Sequence, residues 1–477
     1  MPTENALTKL AKMLTEYRNS SPAMDRLIEY RSADALSAIL NLGDDTRGDT
    51  EALFAWIEKY LDHSVRSSHP GFVNRMWAEP NLPSILADMV TAVAQTSACT
   101  YESAPVAVLT EQFMFDTILE LVGFKNGEAQ MTTGSSNANM IAMLCARNIT
   151  SNKIKGDGLV ASAPLTAFVS SDAHYSLDKA ANVLGLGTNN LVKVPINEYG
   201  EMDPAQLAVA LEDAKQNNSN PFFVCATAGT TVRGAYDPLE PLLDLREKYN
   251  FWLHVDAAWG GGVLLDNNLR AEFLPGIERV DSMTWDFHKM LGTSLMCNVL
   301  LLNSDQQHLN RACGAGDGSY LFREQDDDNN QHKALEPGTS SLQCGRRVDA
   351  FKWFLDWKFY GQSGLSERVQ RFLALSKFAE QIIHNDPNLE LVVPRQSFNL
   401  CFRFINNDIQ DLNDLNQQIR TTLYQRGDSL VGIAWIDGNL ILRWLASNLA
   451  LNEDNIRQFF QTLVEAGMDI STRIKAQ

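Results

Sequence analysis

The chain has 477 residues and a formal charge of -18, which excludes a nucleic-acid or anionic-membrane partner, since no basic stretch is concentrated enough to offset the acidic excess. The length predicts one large domain with one or two lesser ones. Seven cysteines, at 99, 145, 225, 297, 313, 344 and 401, have no CxxC spacing and fit a reduced, cytoplasmic compartment. The first residues have helical periodicity rather than a basic segment followed by an apolar one, and no apolar run reaches the roughly 18 residues of a membrane span, so neither a signal peptide nor a transmembrane segment is expected.

Residues 1–85 read as a helical N-terminal segment, with apolar repeats in LTKLAKMLTEY and ALFAWIEKYL that end in the Pro-punctuated HPGFVNRMWAEPNLP. Residues 86–355 read as a large α/β domain. Within it LTAFVSS, LVKVPI, PFFVCATAG, FWLHVDAA, SMTWDF and SLMCNVLLL are continuous apolar strands, several separated by helices such as DPAQLAVALEDAKQ, which predicts a mainly parallel sheet covered on both faces. The polar stretch between Gly314 and Ser341 reads as a mobile functional loop. Residues 356–477 read as a compact α+β domain with a long helix, LSERVQRFLALSKFAEQII, and a hairpin signal at Asp437-Gly438.

Four features of the α/β segment carry chemistry. In TTGSSNANM a glycine and two serines open a helix, so Ser135 and Ser136 stand where a phosphate dianion is favoured, although a plain serine cap reads the same way. His174 follows a strand and opens another helix, which suits a ring stacked on a flat cofactor and equally a hydrogen-bonded loop residue. Asp256 ends the strand WLHV at the edge where open α/β sheets bind ligands, and Ala257, Ala258 and the glycines after them leave room for a ring. Lys289 lies 33 residues later, in FHKM. A lysine and an acid so placed are the minimum equipment for pyridoxal 5'-phosphate, the amine for a Schiff base and the carboxylate for the pyridine nitrogen.

These stretches, with SDAHYSLDKAANVLGLG, ATAGTTVRGAYDPL and LQCGRRVDAFKWFLDWK, resemble the group II pyridoxal-phosphate decarboxylases in order and spacing over about residues 60–450. TYESAPV and SLQCGRRVDAFKWFLDWK bring the glutamate and cysteine sulfinate decarboxylase branch nearest. The resemblance implies a fold-type I, aspartate aminotransferase-like architecture with a seven-stranded sheet, and a homodimer with active sites at its interface. It implies α-decarboxylation of an acidic L-amino acid (glutamate, aspartate or cysteine sulfinate), with aromatic amino acids second and transamination third.

By the same resemblance Lys289 carries the Schiff base, Asp256 pairs with the ring nitrogen, His174 stacks on the ring and Ala258 lies against its other face. Ser135, Ser136 and His288 contact phosphate, and Thr227 lies near the ring. Phe72 and Asn74 line the side-chain pocket, and Arg443 holds the substrate carboxylate. Arg75 stands where relatives often carry glutamine, and it reads equally as a second anion contact or as a surface arginine. The family's loop tyrosine, a proton donor, is missing: Tyr320 starts the loop, and Leu335 stands at the aligned position. His332 is the alternative acid, or a solvated loop residue, and the departure raises side transamination or oxidation as expectations. Eight histidines without HExxH or short paired spacing predict no metal site.

Overall fold

A computed structural model describes residues 3–20, 24–43, 48–314, 318, 320–322 and 336–476. His332 and Leu335 lie outside them. The chain divides into two compact units, one formed by residues 80–371 and the other by residues 1–79 together with 372–477.

In the first unit the strands are β1 (Glu128–Thr132), β2 (Leu165–Ser170), β3 (Leu191–Val194), β4 (Asn220–Thr227), β5 (Trp252–Asp256), β6 (Ser282–Asp286) and β7 (Asn298–Leu302). They form one seven-stranded sheet in the order β1-β7-β6-β5-β4-β2-β3. Pairs from β3 across to β6 are parallel, while β7 runs antiparallel to both β6 and β1. The mainly parallel seven-stranded sheet is the expected one. Strands β2, β4, β6 and β7 are buried along their length, save Asn220 at the start of β4, as a sheet covered on both faces requires. β1 escapes the sequence reading because EAQMT is short and half polar.

Register sets the site. Thr227 of β4 pairs with Asp256 of β5, and Asp256 with Thr284 of β6, so the carboxyl ends of three adjacent parallel strands finish in a row. Beneath them the helix Ser135–Thr150 packs Ala138, Ile141 and Ala142 with Leu177 and Phe223 in one buried cluster. Past β6, Phe287 stacks on Trp353 with ring centroids 3.9 Å apart, which anchors the loop carrying Lys289.

The second unit has a four-stranded antiparallel sheet made of β8 (Leu389–Leu391), β9 (Asn399–Phe404), β10 (Gly432–Ile436) and β11 (Asn439–Leu445), in the order β10-β11-β9-β8. The expected Asp437-Gly438 turn joins β10 to β11. Both residues have positive φ (49° and 80°), the twist a two-residue hairpin demands. Residues Phe72 and Val73 join this unit through backbone bonds to Leu430 and Leu445. Among the described residues no helix is long and apolar enough to cross a membrane.

Candidate active site

Asp256 is buried and held at both oxygens: Oδ1 accepts from the Ala258 N–H (3.1 Å) and Oδ2 from Asn139 Nδ2 (2.7 Å). Asn139 sits four residues into the helix that Ser135 opens, and it is fully buried. Its amide hydrogens serve Asp256 and Ser176 Oγ (3.0 Å), so its oxygen must accept, and His254 Nε2 at 2.9 Å carries the hydrogen. Burial pushes the His254 imidazole down to about 4, so the ring is neutral and Nδ1 accepts from the Ser282 hydroxyl (2.8 Å). Ser282 in turn accepts from Trp252 Nε1 (2.7 Å). The result is a file of donors running Trp252, Ser282, His254, Asn139, all oriented toward the Asp256 carboxylate.

Thr227 is fixed through its backbone, its N–H donating to Asp237 Oδ2 (2.7 Å) and its carbonyl accepting from the Asp237 N–H (2.9 Å). Asp237 also accepts from Met202 N–H (2.6 Å), and burial drives its carboxyl up to about 7. The Thr227 hydroxyl is buried without a hydrogen-bond partner among the described residues.

The β6 end leads into Lys289. Lys289 Nζ lies 2.9 Å from Asp286 Oδ2, and Asp286 Oδ1 accepts from Asn298 Nδ2 (2.7 Å). Asn298 also reaches Ser135 Oγ and Thr284 Oγ1, both at 3.0 Å, which ties the start of the helix to β6 and β7. Burial works against the Asp286 charge, but Lys289, His288 and Ser135 outweigh it and hold the carboxyl below its ordinary range. The His288 ring is fixed by the Cys297 backbone, with Nδ1 2.9 Å from its carbonyl, and burial lowers its basicity. His174 is half-buried. Burial pushes it down, while Asp256 opposes that effect and Lys289 adds to it, so the ring shares one electrostatic neighbourhood with the β5 and β6 ends.

Ser135, Thr227, Asp256, Ala258, His288 and Lys289 therefore belong to one cluster at the strand ends, whereas Ser136 is exposed. Pyridoxal phosphate fits these residues. Gly134 enters the helix at φ 111°, and an added Cβ there would meet Met296 Cε at 2.6 Å, so glycine is what lets the chain make this turn into a helix start, where an anion is favoured. The partnerless Thr227 hydroxyl and the doubly held Asp256 suit the polar edge of an aromatic ring.

In the second unit, Arg443 lies opposite Gly432 on β10 and donates to the Asn74 carbonyl (2.5 Å). Burial, with Arg75 adding to it and Cys401 opposing, lowers the guanidinium to about 10. Phe72 is a core residue, packed with Leu27 and Leu430 and tilted against Trp77. Asn74 is buried and Arg75 exposed.

Comparison with known proteins decides the assignment. The "Pyridoxal-dependent decarboxylase conserved domain" matches residues 35–405. The chain belongs to the pyridoxal-dependent decarboxylase family. It is a carboxy-lyase that uses pyridoxal phosphate. It is similar to "Acidic amino acid decarboxylase GADL1" of Homo sapiens, 36% identical over 391 residues, covering 82% of this chain and 74% of that one. It is also similar to "Cysteine sulfinic acid decarboxylase" of Rattus norvegicus, 34% identical over 426 residues, covering 87% and 85%. The crystal structure of mouse CSAD in apo form superposes with a TM-score of 0.92 at 31% identity, over 97% of this chain and 98% of that one. Oryza sativa TDC with PLP and tryptamine, at 22% identity and TM-score 0.87, over 98% of this chain and 99% of that one, shares the fold.

The sequence reading missed Asn139, His254, Asp237, Asp286 and Asn298. Two left a signal: His254 lies two residues before Asp256 and so shares its face of the strand, and Asn139 is a polar residue on an otherwise apolar helix face.

Proposed function

We propose that this decarboxylase removes the α-carboxylate of an acidic L-amino acid (glutamate, aspartate or cysteine sulfinate), giving the amine and CO2. The observation that carries the site is the placement of Lys289 and a doubly held Asp256 at neighbouring strand ends. When bound, the cofactor supplies the sink for the electron pair left as CO2 departs. Asp256 keeps a proton on the ring nitrogen, and the donor file through Asn139 holds its carboxylate in place. Lys289 bonds the cofactor, Ser135, Ser136 and His288 hold its phosphate, Thr227 lies by the ring, and His174 and Ala258 flank the two faces. Arg443 binds the substrate α-carboxylate, and Phe72 and Asn74 line the pocket.

Arg75 is assigned to the acidic side chain. Its charge adds to the burial that lowers the basicity of Arg443, so the two cations share one electrostatic neighbourhood, and relatives that cover most of this chain are named for acidic substrates. His332 is assigned the return of the proton to Cα. We infer a cytoplasmic homodimer with its sites at the interface, and a chain organised as 1–85, 86–355 and 356–477.

The test is a panel of amino acids given to cofactor-loaded protein, with CO2 and amine read together. Turnover of glutamate, aspartate or cysteine sulfinate is expected. Turnover of tyrosine or dihydroxyphenylalanine with none of those three would sink the acidic assignment.

A further inference from the structure

Asp286 has no place in the chemistry described so far, yet it is the partner that the structure gives to Lys289. Its carboxylate is buried, with 3% of its side-chain surface exposed, and both oxygens are engaged, Oδ2 by Lys289 Nζ at 2.9 Å and Oδ1 by Asn298 Nδ2 at 2.7 Å. His288 Nε2 stands 3.8 Å from Oδ2, and Ser135 also hydrogen-bonds the group. The same two residues are the proposed phosphate contacts. One buried anion therefore holds the reactive amine and borders the anion subsite.

We propose that Asp286 is an internal competitor of the cofactor: it clamps Lys289 as an ammonium and sets a negative charge beside the phosphate subsite, so that pyridoxal phosphate binds only by dissolving that pair. The inference rests on the reading of Lys289 as the amine that bonds the cofactor. An ammonium is not a nucleophile. On loading, Lys289 gives up a proton, its free amine bonds to the aldehyde carbon, and the aldehyde oxygen leaves as water with the two remaining amine hydrogens. The proton has an acceptor 2.9 Å away in Asp286 Oδ2. A carboxyl protonated there can stand next to a phosphate dianion and donate to it, whereas a charged one stripped of its lysine would be a buried, unpaired anion facing a second anion. Asp286 thus lowers the affinity for the cofactor and makes it exchangeable.

The experiment titrates cofactor-free protein with pyridoxal phosphate and follows the absorbance of the bound form, in wild type and in Asp286→Asn, whose side-chain oxygen can still accept from Asn298. The variant is expected to bind the cofactor at least about tenfold more tightly, and general damage to the site could not produce that gain. Asp286→Ser is the second variant in case Asp286→Asn fails to fold; equal or weaker binding in every variant that folds overturns the proposal. A double-mutant cycle of Asp286→Asn and Lys289→Met, read by thermal unfolding without cofactor, measures the pair on its own. Coupling between the two positions is expected, and additive effects would overturn the clamp. If wild type never colours with pyridoxal phosphate while the cycle shows coupling, the reading of Lys289 has failed and the ion pair has not.

Discussion

Asn139 is the hinge of the polar network: it holds Asp256 through one end of its amide and His254 through the other. Replacing it with alanine leaves a buried carboxylate, a buried N–H and the Ser176 hydroxyl each short of a partner, at about 1–3 kcal/mol per group. Asn139→Ala is therefore expected to lose roughly 10- to 100-fold in turnover and to unfold at lower temperature, as steady-state kinetics and calorimetry would show. Turnover within twofold of wild type would mean that Asp256 needs no such support. The sequence made Asp256 and Lys289 legible because each follows an apolar strand with a change of residue type that core packing does not explain. It left Asn139, His254 and Asp286 unread because a buried polar residue looks the same in a string of letters whether or not it has a partner, and the partners of Asn139 and His254 lie between 28 and 117 residues away.

At the scale of elements, the junction between β1 and the helix at Ser135 depends on one backbone conformation. Gly134 has φ 111° and ψ 161°, a region open essentially to glycine alone. Gly134→Ala is expected to cost about 1–3 kcal/mol of stability, with a further loss of cofactor affinity as the new methyl crowds Met296; denaturant melts and an absorbance titration would read the two effects separately. An unchanged affinity would show that the anion lies away from this turn. The sequence disclosed most of the sheet's strands because β2, β4 and β7 are near-continuous apolar runs, and the hairpin at Asp437-Gly438 because its turn needs left-handed residues. It did not disclose β1, which is half polar in its own sequence and held at the sheet edge by antiparallel pairing with β7.

Over the whole molecule, two buried titrating groups pull stability in opposite directions as pH changes. His254 has a folded value of about 4 against 6.5 for a free histidine, so the unfolded chain takes the proton first and stability falls as pH drops from 6.5 toward 4. Asp237 has a folded value of about 7 against 3.8, so the unfolded chain loses its proton first and stability falls as pH rises from 3.8 toward 7. Each effect is on the order of 3–4 kcal/mol and they largely offset between pH 4 and 6.5. Asp237→Asn removes one side of this balance. Its unfolding free energy is expected to rise with pH across that window more steeply than that of wild type, and parallel curves for the two proteins would contradict the assignment.

The loop from β6 to β7 brings two lysines into contrast. Lys352 donates to the Met296 carbonyl of that loop (2.7 Å) and pairs with Asp349 (2.9 Å), with none of its side-chain surface exposed, while Lys289 keeps about a fifth. Exposure therefore leaves the amine at 289 open to an acylating reagent, at a rate that the Asp286 clamp slows, and closes the one at 352. The fold itself furnishes an internal reference for peptide mapping, in which protection at 289 reports occupancy and loss of protection at 352 reports unfolding.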